Sequence, residues 1–171
     1  LLVFCMLILG LSLRGNEGNP TERDLNSLEW KEDGPLELSP ERGRFGLTYS
    51  IVENKSVFFS TDLARFITPD LGYINGNYVS LFAPGISFIV IPGYLIGSHF
   101  ELAQIGAFGV IAIFAILNAF LVRGIALRLG AKELAATIGS IIFLFSTPAF
   151  AYSVSLYQHQ VSTFLILLSL Y

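Results

Sequence analysis

Three carboxylates, two arginines, a tyrosine and a histidine in this chain have the side chains that group-transfer chemistry uses. Glu41 stands one residue from Arg42 and three from Arg44. A carboxylate so placed can take a proton from a hydroxyl, and arginines beside it can hold an anionic group bidentately. The plainer reading is a helix start, with Glu41 at the positive end of the helix dipole and the arginines turned toward lipid phosphates. Asp62 and Asp70 precede a strongly apolar stretch, and each is a candidate base or metal ligand. Pro69-Asp70 also suits a simple turn. Tyr157 and His159 lie in a short polar break, Tyr157-Gln158-His159-Gln160, between two apolar runs. An ionisable group there is costly unless it faces protein or water. It is a candidate donor to a ligand, or else part of an interfacial aromatic belt with Tyr152. No P-loop, GxSxG, HExxH or CxxC pattern occurs, and the single cysteine, Cys5, excludes a disulfide framework or thiolate metal cluster.

The elements that must hold these groups fall into two contrasting halves. Residues 14–80 carry seven basic and eleven acidic residues. From Leu81 to Tyr171 the only charges are Glu101, Arg123, Arg128, Lys132 and Glu133, five in 91 residues. A globular surface normally carries about a quarter charged residues, so this half is expected in a bilayer. The whole chain agrees, with 53% apolar residues and a mean hydropathy of +0.66. With a net charge of −3 and no basic patch interleaved with aromatics, nucleic acid is excluded as an expected partner. The chain starts at Leu1 and stops inside an apolar run, which reads as a piece of a longer protein.

The fold expected is an all-α integral membrane bundle with a large outer loop. Residues 1–13 read as a truncated transmembrane helix, with a signal-peptide core as the rival. Residues 14–80 read as a large extracytoplasmic loop, irregular up to Pro40. Ser39 is expected to cap an amphipathic interfacial helix, with Pro40 in its first turn and Phe45, Tyr49 and Val52 on one stripe. Residues 56–80 read as extended or looped, with turns at Thr68-Pro69-Asp70 and Asn75-Gly76-Asn77. Residues 81–98 contain Pro84 and Pro92 and read as a proline-broken interfacial or re-entrant helix. Residues 104–122 are a full span, 123–133 a cytoplasmic loop, 134–156 a span interrupted near Pro148, and 161–171 the start of another. The excess of Arg123, Arg128 and Lys132 over acids places 123–133 inside. Residues 157–160 and the acidic 14–80 loop are then expected on the outer face, provided that 81–98 does not cross.

Two motif sets resemble a known family. The stretch RFGLTYSIVENKS is followed by a glycine-tyrosine-serine-proline pattern at Gly76, Tyr78, Ser80, Phe82, Pro84, Gly85 and Ser87. Further on come Arg128, Leu129, Gly130 and Ala131, then Phe143, Phe145, Ser146, Thr147, Pro148, Ala149, Tyr152 and His159. In this order they resemble polytopic glycosyltransferases of the GT-C type, the protein-mannosyltransferase-like and RgtA/B/C/D-like families. The resemblance covers most of residues 40–165. The family's acidic pair early in the outer loop has no counterpart at the same place; Glu41 is its nearest match, and Glu32-Asp33 is the adjacent acidic pair.

The resemblance implies a multi-pass plasma-membrane enzyme that moves a sugar from a polyprenyl-phosphate carrier to an acceptor hydroxyl. Glu41, Asp62 and Asp70 would be the catalytic candidates. Arg42, Arg44, Tyr157 and His159 would bind the substrate, its leaving phosphate included. A divalent cation is a further expected participant, held by carboxylates and water. The partners implied are membrane lipid, the carrier-linked sugar and an acceptor. The alternative class is a non-enzymatic polytopic protein, a transporter or assembly subunit, which also uses kinked segments.

Overall fold

The computed structural model describes residues 1–36 and 38–171. It is mostly helical, with 65% helix and 6% strand. The chain divides into two compact units, one of Arg14–Val110 and one of Leu1–Leu13 with Ile111–Tyr171.

The Arg14–Val110 unit is built around helix α2 (Ser39–Val52), which packs against α3 (Thr61–Ile67), α4 (Gly85–Ile89) and α5 (Ile91–His99). Glu41 and every residue from Gly43 to Ser50 are buried. The expected amphipathic helix resting on a surface is therefore corrected: α2 is enclosed. Small residues on its less apolar side allow this. A methyl at Gly46 would fall 2.7 Å from Ile67, and one at Gly43 would fall 2.8 Å from Phe82. Ser39 is the first helical residue rather than the cap, and Leu38 occupies the cap position without a side-chain bond.

The segment expected to be extended or looped over 56–80 holds a helix and a hairpin. Ser60 caps α3, its hydroxyl accepting from the Leu63 N–H at 3.1 Å. The short helix stands because Leu63, Phe66 and Ile67 are fully buried, each contributing about 1.5–3 kcal/mol. Strands β1 (Leu71–Ile74) and β2 (Asn77–Ser80) pair antiparallel, with Leu71 opposite Ser80 and Ile74 opposite Asn77. Asn75 and Gly76 both take positive φ, 50° and 83°, as a two-residue hairpin turn requires. The Tyr73 and Tyr78 rings meet across the strands at 5.1 Å.

Residues 81–98, expected as a proline-broken interfacial or re-entrant helix, form two short helices that meet at Val90. Pro84 precedes α4, and Pro92 lies in the first turn of α5, where a missing N–H costs nothing. The nine residues of α5 rise only about 13 Å, well short of a bilayer's hydrocarbon core.

The other unit contains α1 (Leu2–Ser12), α7 (Glu133–Phe145), α8 (Ala149–Ser153), α9 (His159–Leu170) and α6 (Ala103–Arg128) from Ile111 onward. Its core joins Cys5, Leu9, Ala112, Ala115, Ala119 and Leu144. Alanines at every third or fourth position of α6 keep that side narrow. Among the described residues, α6 is the one helix long and apolar enough to cross a membrane, 26 residues with a mean hydropathy of 2.5 over an 18-residue stretch. It runs past the expected boundary at Val122, so the basic connection shrinks to residues 129–132. The apolar stretch after it breaks at Ser146-Thr147-Pro148, the proline where the interruption is expected.

Candidate functional site

Two groups of predicted site residues sit in the Arg14–Val110 unit. The first gathers at the start of α2. The Ser39 hydroxyl donates to a carboxylate oxygen of Asp70. This ties the residue before the hairpin to the first turn of α2, where N–H groups and the helix dipole also favour a negative charge. Asp70 remains half-exposed. Arg42 lies one turn beyond Ser39, on the same side of the helix. It is half-buried, and its Nε, shut off from solvent, has no hydrogen-bond partner among the described residues.

Glu41 and Arg44 are placed differently. Glu41 is 2% exposed and lies 3.8 Å from the Arg14 guanidinium. Arg14 also donates to the Pro35 carbonyl and lies over the Phe108 ring at 5.8 Å. Arg44 is buried, donates to the Pro40 carbonyl at 3.3 Å and lies over the Phe82 ring at 5.2 Å. A base must come within hydrogen-bond reach of the proton that it takes. Glu41, enclosed beside a cation, is placed to hold Arg14 and α2 rather than to meet a hydroxyl. Arg14 is itself 23% exposed, so removing the carboxylate is expected to cost about 1–3 kcal/mol, as for a buried polar group that loses its partner.

Asp62 is separate from both. It faces Arg65 at 3.4 Å on the same helix, and both side chains are substantially exposed. Such surface pairs contribute about 0–1 kcal/mol. The acidic pair Glu32-Asp33 is exposed as well. Among the described residues, no three His, Cys, Asp or Glu side chains converge as a metal cage.

In the other unit, Tyr157 and His159 belong to a three-ring cluster. The His159 ring stands 4.0 Å from that of Tyr152 and 5.9 Å, nearly parallel, from that of Tyr157. The imidazole is exposed at the first residue of α9. Beside it in sequence, buried Gln160 joins α6 to α8: Asn118 donates to its side-chain oxygen at 2.7 Å, and Gln160 donates to the Ala149 carbonyl at 2.6 Å. The predicted site residues thus divide between the two units.

Sequence reasoning passed over a polar group at the far end of α2. Tyr94, 1% exposed, donates its hydroxyl to Glu53 Oε1 at 3.0 Å. Glu22 accepts from Asn54 at 2.6 Å and from the Ser60 hydroxyl. Burial first, then the charges of Glu22, Glu53 and Asp24, push the Tyr49 phenol above its ordinary value. Burial and Glu53 act the same way on Tyr94. The sequence signal was faint: Tyr49 belongs to the apolar stripe of α2, and Glu53 follows its end.

No protein-family model, curated protein or solved structure matches this chain.

Proposed function

We propose that this chain is part of a multi-pass membrane glycosyltransferase that moves a sugar from a polyprenyl-phosphate carrier to an acceptor hydroxyl on the outer face of the plasma membrane. The observation that carries the reading is how the first two motif stretches meet. The Ser87 hydroxyl donates to the Arg44 carbonyl at 3.0 Å, and the Thr48 hydroxyl donates to the Ser87 carbonyl at 3.0 Å. Phe82 fills the space beside Gly43 and lies under the Arg44 guanidinium. Arg44, Thr48 and Ser87, all within the two stretches, are thus buried against one another, with Phe82 half-buried beside them.

On this reading α1, α6, α7 with α8, and α9 are membrane segments, and the polar weight of the Arg14–Val110 unit meets water and substrate. Asp70 accepts the proton of the acceptor hydroxyl, oriented by Ser39. Arg42, one turn away, faces the leaving phosphate, where negative charge builds. Arg44 and Glu41 position α2 beneath them. Asp62 is the weaker candidate base, since Arg65 already occupies it on open surface. Tyr157 and His159, in the other unit, form a separate ring cluster able to contact a sugar on its own. A divalent cation can be shared between one or two carboxylates and the substrate's own phosphates.

The test is transfer of labelled sugar from a polyprenyl-phosphate donor by membranes carrying the full-length protein, with and without magnesium. Arg42→Ala is expected to raise KM for the carrier about tenfold, the loss of about 1.4 kcal/mol of binding. Absence of carrier-dependent transfer by the unmodified protein overturns the proposal.

A further inference from the structure

A cavity of about 520 Å³ opens at the C-terminal end of α2, lined by Asn19, Thr21, Tyr49, Glu53, Tyr94 and His99 among others. Its size falls within the range of small-molecule sites. At about 1.5 Å per residue, the 14 residues of α2 separate it by roughly 20 Å from the Asp70 end.

Four side-chain donors of the wall are committed. Asn19 donates its amide to the Ser98 carbonyl at 2.7 Å, Ser98 its hydroxyl to the Leu95 carbonyl at 2.9 Å, and Thr21 its hydroxyl to Asp24 at 2.7 Å. Tyr94 donates to Glu53. The Tyr94 ring is held in turn against Phe45 at 5.9 Å, so a buried phenol fixes one oxygen of an exposed carboxylate. The cations nearest in sequence are not in the wall: Arg23 is exposed, and the Lys55 ammonium donates back to the Val52 carbonyl. Besides the Tyr49 phenol, His99 is the remaining titratable group of the lining, exposed and edge-on to Phe100 at 5.0 Å.

A site with most of its side-chain donors committed and a fixed carboxylate left open selects a ligand that brings donors and positive charge. A primary ammonium brings three donors and makes the stronger, charge-assisted bond. An anion would face Glu53 directly. We propose that this cavity binds a small polar molecule through a primary ammonium group, with Glu53 as its ionic partner and Tyr94 as the residue that positions Glu53. The proposal stands whether or not the chain transfers sugars.

The test is isothermal titration of the chain in phosphatidylglycerol nanodiscs with glucosamine, its neutral counterpart N-acetylglucosamine, and ethanolamine. Both amines are expected to bind, with N-acetylglucosamine at least tenfold weaker than glucosamine. Glu53→Gln should weaken glucosamine at least tenfold. Tyr94→Phe should weaken it severalfold with an unchanged far-ultraviolet circular dichroism spectrum. Adding phosphatidylethanolamine to the nanodiscs separates two sources: competition with glucosamine marks a lipid headgroup as the occupant, and no competition marks a free amine. Equal binding of the neutral sugar, an unaffected Glu53→Gln variant, or no binding of either amine overturns the proposal.

Discussion

The Ser87 hydroxyl reaches back across 43 positions to the Arg44 carbonyl, and Thr48 returns a bond to the Ser87 carbonyl. This exchange pins α4 to α2 through buried polar groups, where an unmade bond is expensive. Ser87→Ala is expected to cost about 1 kcal/mol of stability. A double-mutant cycle with Thr48→Val should show coupling of about 0.5–3 kcal/mol, read by chemical denaturation of the detergent-solubilised chain. Strict additivity would mean that the two bonds act independently.

Gly46 decides how closely α3 can lie on α2. Its absent side chain leaves room for Ile67, which a methyl would meet at 2.7 Å. Gly46→Ala should destabilise by about 1–3 kcal/mol through overpacking. Shortening the neighbour with Ile67→Val in the same chain should recover part of that loss. Failure of the second change to help would place the clash elsewhere.

The two acidic sites differ in burial, and their variants should differ in stability. Glu41→Gln leaves the partly exposed Arg14 without its buried carboxylate and should cost about 1–3 kcal/mol. Asp62→Asn touches an exposed pair and should stay within about 0.5 kcal/mol. Denaturation midpoints of the two variants, compared with the unmodified chain, check this.

Tyr49 predicts a loss of stability at alkaline pH. Its phenol is raised above the ordinary value of 10.0, by burial first and then by Glu22, Glu53 and Asp24. A group whose folded value is raised favours its protonated form in the folded state. Its contribution is therefore complete below pH 10.0 and is lost as pH rises through the higher folded value. The stability difference between the unmodified chain and Tyr49→Phe should be flat at neutral pH and shift against the tyrosine form above that point. A difference independent of pH would contradict the assignment.

The turn at Asn75-Gly76, the start of α2 at Pro40 and the interruption at Pro148 were legible because each is written locally, in Asn-Gly and proline positions. The enclosure of α2 was not, because Gly43 and Gly46 read as neutral in a pattern of apolar spacing. They become informative only when Ile67 and Phe82 arrive from elsewhere in the chain. Ser39 is already within the helix rather than at its cap, and its hydroxyl donates to Asp70, 31 positions away. Arg123 and Arg128 suggested a loop, yet the helix continues through them. Gly130, at φ +90°, ends the turn that follows, where a left-handed residue closes a helix. Of the candidate site, residue types were readable and pairings were not: Tyr94 and Glu53 are 41 positions apart.

The connection at 129–132 offers a check on membrane placement. A cysteine introduced at Ala131 in the full-length protein should react with an impermeant maleimide only after the inner face is exposed. Labelling of intact cells would reverse the proposed orientation.

The role given to Asp70 is tested most directly by single-turnover sugar transfer from a polyprenyl-phosphate donor, comparing full-length Asp70→Asn with Asp62→Asn. Asp70→Asn should slow transfer by at least about 100-fold, the lower range for loss of a general base, with the carrier still bound, while Asp62→Asn should stay within about twofold of the unmodified protein. Transfer at an undiminished rate by Asp70→Asn would contradict the account.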